Sequence, residues 1–554
     1  MKISARSFAL KKLYGFLFFP NEDRKNIFIP SLIISIVFFT SLAFSYTICF
    51  ETNDDVLFSM LAHGYGIASY QTTFLPASNS LIASVAQTIP SIATMPGYMI
   101  LSVILLFSAI WGILYFLLRL GLPVFICLGA FFLIALRAIL VPQFTVTTGL
   151  LTIASILCLH GYSKKRQKIY LPLMVLLAFS AYLLRSQEFF LVAFISLPLL
   201  PWKKFFKDPL LIITGCIFLC LMLFGHWFDV KEKNAPELQE YTTFLETMIP
   251  IFNYGASGHL AARDDILQRH GYTTNDMELL RNYFYLTPKL TDTTAINAML
   301  TELGPTYKQT GNIHKALYGL KALRNNQLLP LLCFGGLLLI FLPNWRLRVL
   351  TGTSWLFVLG ALFAMGLAGR PGIMRVYYPL ACLLLIAPLM LYNFNTTNKK
   401  FLITTLSLAL FVCCIWNAKN ILPIAKYNTT VNMALQQQLE NIPKGEPIFS
   451  WGASFPYEYA YPLFSDYDQI KKDDFPLLGG YTPAPFSSTV TKAKAGVGLL
   501  DILQTSGGVL IIERGDVRRK ALGIFCQEVL GCTLSYEGIQ TLETDTTILR
   551  MWCK

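Results

Sequence analysis

Residues 27–55 read IFIPSLIISIVFFTSLAFSYTICFETNDD, a long apolar run that ends in an acidic cluster. The run over residues 27–50 has no charged side chain and is long enough to cross a bilayer as a helix. The pair that follows it, Asp54 and Asp55, is therefore expected at the membrane surface. Apolar residues then recur at helical spacing, which predicts a short interfacial helix with Asn53 or Asp54 as its N-cap.

The adjacent carboxylates of Asp54 and Asp55 have two interpretations. One carboxylate is enough to cap a helix, so capping alone explains one member of the pair. A second carboxylate held beside a membrane is a candidate general base or metal ligand. This stretch of sequence leaves both interpretations open.

The composition is that of a protein that crosses the membrane many times. Of the 554 residues, 54% are hydrophobic and 14% are charged, which is too apolar for a soluble protein. The net charge of +13 does not indicate nucleic-acid binding, because Lys and Arg cluster in short loops between apolar runs, as the positive-inside rule requires. We therefore expect contacts with membrane lipids and none with nucleic acid.

The twelve cysteines show no spacing that is typical of a metal site, and several lie inside apolar runs as small hydrophobic side chains. Only Cys526, Cys532 and Cys553 lie in a polar context. In an oxidising compartment two of these three could pair, which would leave one thiol over.

Eleven apolar runs predict about eleven transmembrane helices, and the charges beside them predict an orientation. The N-terminus is basic and precedes an apolar run too long for a cleaved signal, so we expect an uncleaved anchor with its N-terminus in the cytoplasm. Alternate loops carry Lys and Arg, which puts segments 51–95, 228–327 and 421–554 on the outer side. The runs lie at about 27–50, 96–118, 121–141, 144–162, 169–185, 188–202, 209–227, 328–344, 349–368, 375–393 and 401–420.

Two domains are predicted, with a boundary at residue 420. Residues 1–420 form a helical transmembrane domain that includes the outer loops 51–95 and 228–327. Residues 421–554 have a soluble composition, with strands predicted at 509–512 and 547–549 and an amphipathic helix at 516–530. We expect a small extracytoplasmic α/β domain. Two of its loops, 451–459 and 479–483, are rich in aromatic residues, Gly and Pro, and could stack a sugar ring or cover a small core.

Four arginines lie near the outer ends of predicted spans, where the positive-inside rule disfavours them. Arg370 and Arg375 share the stretch GRPGIMRVYYPL, residues 369–380, and the other two are Arg137 and Arg185. A forked guanidinium group suits a phosphate oxygen. The alternative is that these arginines only hold helices together by pairing with Asp54, Asp55 or Glu188.

Weaker candidates for substrate binding are an isolated His, two aromatic residues after Arg375 and a second acidic pair. A lone His beside Gly is more often a surface residue than a ligand or base. The acidic pair is explained as well by a solvated helix face with a local Arg partner. These candidates are His63, Tyr377, Tyr378, Asp264 and Asp265.

Outer carboxylates after the first span, several outer arginines, about a dozen spans and a soluble outer C-terminal domain together resemble the GT-C glycosyltransferases. That superfamily includes protein O-mannosyltransferases and the aminoarabinose transferases of lipid A. The stretch ETNDD, residues 51–55, corresponds to the acidic pair of the first outer loop in the family. The stretch GRPGIMRVYYPL is similar to the Arg-bearing loop before a late span in bacterial members.

The resemblance implies an inverting hexosyl- or pentosyltransferase that moves a sugar from a polyprenyl-phosphate donor to a glycan or lipid acceptor, such as lipopolysaccharide. The reaction would take place at the outer face of the bacterial inner membrane. Asp54 or Asp55 would be the base, and the arginines would hold the lipid phosphate. A divalent cation (Mg²⁺ or Mn²⁺) held by Asp55 is an additional possibility. The chain lacks the WWD-like signature of oligosaccharyltransferases, so protein N-glycosylation is not expected.

Two other functions compete with this one. In a lipid or polysaccharide transporter the same charges would line a pathway, but transporters commonly show internal repeats or broken spans in matching halves, and this sequence shows neither. An O-antigen polymerase or ligase would share the outer arginines without needing the early Asp pair.

Overall fold

A computed structural model of the chain describes residues 27–305, 311–391, 400–442, 446–470, 475–489 and 498–554. The basic N-terminus on which the cytoplasmic start depends lies outside the described residues. The structure therefore begins at the first apolar run.

The described chain is mainly helical up to residue 440, and polar side chains begin many of its helices. The side chains of Asn79, Asp208 and Asn344 each accept a backbone N–H in the first turn of the helix that follows them. In chain order the helices are α1 (Phe28–Ser45), α2 (Asp54–His63), α3 (Ser80–Thr88), α4 (Gly97–Arg119), α5 (Val124–Leu140), α6 (Phe144–Lys165), α7 (Tyr170–Leu184), α8 (Ser186–Ser196), α9 (Trp202–Phe205), α10 (Pro209–Lys233), α11 (Pro236–Tyr254), α12 (Ala256–Ala261), α13 (Asp264–Arg269), α14 (Thr274–Arg281), α15 (Pro288–Thr291), α16 (Thr293–Leu303), α17 (Ile313–Lys321), α18 (Leu329–Ile340), α19 (Trp345–Leu367), α20 (Met374–Leu391) and α21 (Lys400–Glu440).

Each of the eleven apolar runs forms a helix. Seven of the described helices, α1, α4, α6, α10, α19, α20 and α21, are long and apolar enough to cross a membrane. The segment Ile313–Arg324 and α18 meet at 85° and would add an eighth as one broken span. Helices α5, α7 and α8 are apolar but shorter. The chain is thus a helical, multi-pass membrane protein, and the estimate of about eleven spans includes these shorter helices.

Helices α6 and α20 lie at the centre of the bundle. The apolar segment of α6 is completely buried, and that of α20 is 83% buried. The two helices approach closely because Gly149 has no side chain: a Cβ atom there would lie 2.3 Å from Cβ of Pro379. The N-termini of both helices meet α2, which carries the Asp pair.

A small mixed sheet follows α21, which continues past the predicted boundary at 420 as far as Glu440. The remaining elements are β1 (Ile448–Trp451), α22 (Tyr457–Ala460), α23 (Tyr467–Ile470), β2 (Leu477–Leu478), α24 (Leu499–Leu503), β3 (Val509–Glu513), α25 (Val517–Phe525), β4 (Leu534–Leu542) and β5 (Thr546–Cys553). The strand order is β2-β1-β3-β5-β4. Strand β1 is parallel to β2 and β3, and β5 is antiparallel to β3 and β4. The predicted strands and the predicted helix at 516–530 are confirmed, the helix as α25 followed by a π-helical turn over Cys526–Leu530.

The three cysteines in polar sequence lie together at the end of this sheet. A disulfide joins Cys526 to Cys553, and Cys532 is left as a thiol. The disulfide ties the last strand to the turn that follows α25.

Candidate active site

A cavity of about 630 Å³ lies between the ends of the membrane helices and the sheet domain. This volume is typical of sites that bind small molecules. The helices contribute charged residues to its wall, and the sheet domain contributes the glycine-rich loops after β1 and β2. The charged residues that line it are Asp54, Arg185, Lys233, Glu246, Arg370 and Arg375.

Asp54 is the carboxylate of the Asp pair that reaches this cavity. Its side chain is 34% exposed and accepts hydrogen bonds from Arg375 at 2.8 Å and from the hydroxyl of Thr52 at 3.1 Å. Asn53 is the N-cap residue of α2, although its side chain makes no capping hydrogen bond to the described residues. Asp54 is therefore not the N-cap of α2, and capping does not explain its position in the cavity wall.

Asp55 points away from the cavity, because consecutive side chains on a helix diverge by about 100°. It is 2% exposed and accepts a 3.3 Å hydrogen bond from the N–H of Phe144, the first residue of α6. The Tyr98 hydroxyl donates to it at 3.5 Å. Burial, and secondly the charge on Asp54, raises the pKa of Asp55 to about 8. Of the pair, Asp54 is therefore the member that lines the cavity and the better placed candidate base.

Arg370 and Arg375 reach the cavity from the two ends of the loop between α19 and α20. Gly369, with φ of 82°, ends α19 in the left-handed conformation, and the N–H of Arg370 donates to the carbonyl of Met365. The buried hydroxyl of Tyr377 accepts from the N–H of Gly372 and donates to the carbonyl of Gly319. Tyr377 thus stabilises this loop through hydrogen bonds and does not line the cavity.

The other two cations come from different helices. Arg185 lies at the break between α7 and α8, with its guanidinium 5.3 Å from the ring centroid of Phe144. Lys233, which we did not single out in the sequence, ends α10 and donates to Asp229 at 2.9 Å and to the carbonyl of Ser78 at 3.2 Å. Four cations and two carboxylates line the cavity, so its wall carries a surplus of positive charge.

Arg137 lies elsewhere in the bundle. It is 2% exposed, lies 3.1 Å from the carboxylate of Glu51, and donates to Gln327 at 2.7 Å. Its guanidinium stacks over the ring of Tyr378 at 4.7 Å from the centroid, and the Tyr378 hydroxyl bonds to backbone carbonyls of α5. The structure therefore places Arg137 and Tyr378 in a buried network that joins helices, with Glu51 as the ionic partner of Arg137. Among the partners that the sequence analysis named for the arginines, Asp54 pairs with Arg375.

The remaining sequence candidates also lie away from the cavity. The ring nitrogen Nε2 of His63 accepts the N–H of Tyr98, at the start of α4. Asp264 and Asp265 lie in the first turn of α13, and Asp265 receives two hydrogen bonds from exposed Arg263, at 2.8 and 2.9 Å. Asp265 thus has the local Arg partner of the alternative interpretation, whereas His63 is half-buried and holds the start of α4.

Aromatic residues also line the cavity. Phe252 on α11 and Tyr283 after α14 line it together with Tyr481 in the loop after β2. The hydroxyl of Tyr241 donates to the carbonyl of Gly480 at 3.1 Å and ties that loop to α11. Burial, and then the charge on Asp54, raises the pKa of Tyr481.

The Asp pair is a poor divalent-metal site. An oxygen of Asp54 is engaged by Arg375, and Asp55 accepts a backbone N–H in a buried position. Within the described residues, the one group of three or more His, Cys, Asp or Glu side chains with ligand atoms within 4.8 Å of one another is Cys526, Cys532 and Cys553. The residues around Asp55 therefore do not fit the Mg²⁺ or Mn²⁺ ion considered from the sequence.

No protein-family model matches the chain, and no curated protein matches it significantly. Among solved structures, the chain is similar to ArnT from Cupriavidus metallidurans in the apo state, with 9% identity and a TM-score of 0.38. The similarity covers 93% of this chain and 97% of ArnT.

Proposed function

We propose that the protein is an integral-membrane glycosyltransferase that moves a sugar from a polyprenyl-phosphate donor to a glycan or lipid acceptor at the outer face of the bacterial inner membrane. The observation that carries this proposal is the contact between Asp54 and Arg375 in the wall of a large cavity with surplus positive charge. A carboxylate beside a guanidinium supplies both functions that the reaction needs, a proton acceptor and a partner for a phosphate leaving group.

In the proposed reaction, the acceptor oxygen forms a bond to the anomeric carbon of the donor sugar. The bond from that carbon to the phosphate oxygen breaks, and its electron pair stays on the phosphate. The proton of the acceptor hydroxyl passes to the carboxylate of Asp54. One base is enough for inversion, which agrees with a single cavity carboxylate from the Asp pair.

The leaving phosphate needs charge stabilisation more than it needs a proton. Arg375 and Arg370 come from the two ends of one short loop, and Arg185 and Lys233 add positive charge from other helices. A guanidinium can make two parallel hydrogen bonds to a phosphate, which fixes its orientation as well as its position. When the phosphate binds, some N–H groups of Arg375 would donate to the phosphate and others would still donate to Asp54. Arg375 would in this way hold the carboxylate of Asp54 close to the reacting carbon.

The test is to measure the release of polyprenyl phosphate by the purified full-length protein in lipid nanodiscs. A lipid extract from a strain in which the gene for this protein is deleted supplies the donor and the acceptor. Wild type should convert a polyprenyl-phosphate sugar to polyprenyl phosphate, as detected by mass spectrometry. Asp54→Asn should reduce the rate at least a hundredfold, because it keeps the shape and removes the proton acceptor. Asp55→Asn is the matched control and should keep most of the activity. Equal rates for wild type and Asp54→Asn would refute the proposal.

A further inference from the structure

Tyr283 has a backbone conformation that a tyrosine rarely adopts. Its φ is 65°, in the left-handed region that favours Gly or Asn. The position ends α14: the N–H of Tyr283 donates to the carbonyl of Leu280, and the N–H of Phe284 donates to the carbonyl of Leu279. A glycine would fit this helix end better, so the side chain of Tyr283 must offset an unfavourable backbone.

Two segments of the chain, α11 and the end of β1 with the loop after it, pack around Tyr283 in the cavity wall. The ring stacks on Phe252 of α11, with centroids 5.0 Å apart and planes 24° apart. Gly452, after β1, packs against the ring: a Cβ atom there would lie 3.4 Å from Cδ2 of Tyr283 and 3.0 Å from a guanidinium nitrogen of Arg518. The indole N–H of Trp451 donates to the carbonyl of Asn282 at 2.6 Å, which fixes the neighbouring backbone.

The surroundings of these rings suit a sugar ring. Phe252 and Tyr283 are partly exposed and line the cavity beside exposed Asn253 and the small residues Gly452 and Ala453. A flat aromatic surface packs against the C–H face of a pyranose, while neighbouring polar groups bind its hydroxyls. Burial raises the pKa of Tyr283, the charge on Arg518 lowers it, and the charge on Asp54 adds a smaller raising effect.

The segments that carry the Phe252 and Tyr283 rings indicate that these rings contact the acceptor and not the donor. The donor phosphate is attached to a lipid, so it must bind where the membrane helices end, and Arg185, Arg370 and Arg375 come from those ends. Phe252, Tyr283 and Gly452 come from the segments outside the bundle. The acceptor hydroxyl must approach Asp54 from the side that the donor leaves open.

We infer that Phe252 and Tyr283 form a platform on which a sugar ring of the acceptor stacks while its hydroxyl faces Asp54. This inference rests on the proposed function and narrows it: the accepting unit is a pyranose carried by a glycan or glycolipid, rather than an acyl chain or a peptide. Tyr283 is a binding residue in this account, and Gly452 and Trp451 are positioning residues.

The experiment measures sugar binding by the full chain in nanodiscs prepared without glycoside detergents. The probes are the methyl glycosides of glucose, galactose, mannose and N-acetylglucosamine, and the readout is saturation transfer from protein to sugar protons by NMR. At least one glycoside should bind wild type through the C–H protons of one face. Tyr283→Asn should weaken that binding roughly three- to tenfold, as expected for loss of an aromatic contact.

Asn is chosen at position 283 so that the effect of losing the ring on sugar binding can be measured apart from any effect on folding. Asn tolerates the left-handed backbone, so Tyr283→Asn should keep or raise the apparent melting temperature while it removes the ring. Tyr283→Phe keeps the ring and should bind as wild type does, and Phe252→Leu gives a second test if Tyr283→Asn does not fold. Absence of binding by all four glycosides, or equal binding by wild type and the variant without the ring, would overturn the inference.

A parallel measurement keeps this inference distinct from the proposed function. Polyprenyl phosphate itself is titrated against wild type and Tyr283→Asn, and both should bind it equally because the arginines are unchanged. Failure of wild type to bind polyprenyl phosphate would contradict the donor assignment, whether or not the glycosides bind. Weaker binding by Tyr283→Asn would place the rings at the donor and overturn their assignment to the acceptor.

Discussion

The carboxyl group of Asp55 accepts a hydrogen bond from the N–H of Phe144, the first residue of α6, and is buried. Burial of this carboxyl group raises its pKa. With a pKa raised from an ordinary 3.8 to about 8, the folded protein holds a proton at neutral pH that the unfolded chain releases. The stability that depends on this proton is fully present below about pH 4 and is lost as the pH rises towards 8. Asn at this position cannot titrate.

We therefore expect the apparent melting temperature of wild type to fall, relative to that of Asp55→Asn, as the pH is raised from 4 to 9. The comparison between the two proteins removes the titration of all other groups. Thermal unfolding in nanodiscs at several pH values measures it. A constant difference in melting temperature across this range would show that Asp55 is ionised in the folded protein.

Arg375 interacts with Asp54 and also lines the cavity, so its role as a phosphate ligand can be separated from a purely structural role. Loss of a charge-assisted hydrogen bond costs about 1.5–3 kcal/mol, or roughly ten- to hundredfold in affinity. Arg375→Ala should weaken binding of polyprenyl phosphate by this factor, and Arg375→Lys by less, because Lys keeps the charge but loses the fork. Titration at matched concentrations of folded protein measures both.

Arg137 is the control, because it is buried against Glu51 and Gln327 and away from the cavity. Arg137→Ala should lower the melting temperature and leave the affinity for polyprenyl phosphate unchanged in the protein that remains folded. If Arg375→Ala lowered the melting temperature and left the affinity for polyprenyl phosphate unchanged, Arg375 would have only a structural role, like Arg137.

Among the helices, α6 and α20 support the site, since their first turns carry the partners of the Asp pair. Their close approach depends on Gly149, which has no room for a Cβ atom against Pro379. Gly149→Ala should destabilise the protein by about 1–3 kcal/mol through overpacking. Gly360→Ala on α19, where an added Cβ meets nothing within 4 Å, should be neutral or stabilising by about 1 kcal/mol. Equal melting temperatures for the two variants would refute this account of the helix pair.

The helices and strands follow from local patterns in the sequence, and for this reason they were predictable. Each apolar run is helical, and the apolar residues at 509–512 form a buried strand, because burial and hydrogen bonding impose a period that the sequence displays. Four of the candidates from the sequence, Asp54, Arg185, Arg370 and Arg375, line one cavity. They stood out because charge beside a membrane is costly unless it is paired or functional.

The sequence could not indicate which member of the Asp pair faces the cavity. That choice depends on the rotation of α2 against α6 and α20, which are contacts with residues far along the chain. Phe252 and Tyr283 were missed for a similar reason. Nothing in the stretch NYFY, residues 282–285, reveals a left-handed backbone at Tyr283 or a glycine loop from the sheet domain packed beside it.

Across the whole molecule, the cavity needs both parts of the chain, because the loops after β1 and β2 close it over the helix ends. The alternating charge of the loops predicts that these parts meet on the outer side of the membrane. An alkaline phosphatase fused after Lys554 should therefore be active, and one fused after Lys168 should be inactive. The opposite pattern would put Asp54 in the cytoplasm and exclude a reaction at the outer face.

Mass spectrometry of the surface glycans tests the central claim, that Asp54 is the base of a sugar transfer to an outer glycan or lipid. The strains compared are a deletion strain and the same strain carrying wild type, Asp54→Asn or Asp55→Asn at equal protein levels. The deletion should remove one sugar unit from a surface glycan or lipid. Wild type and Asp55→Asn should restore that unit, and Asp54→Asn should not. Restoration by Asp54→Asn, or glycans identical with and without the gene, would contradict the account.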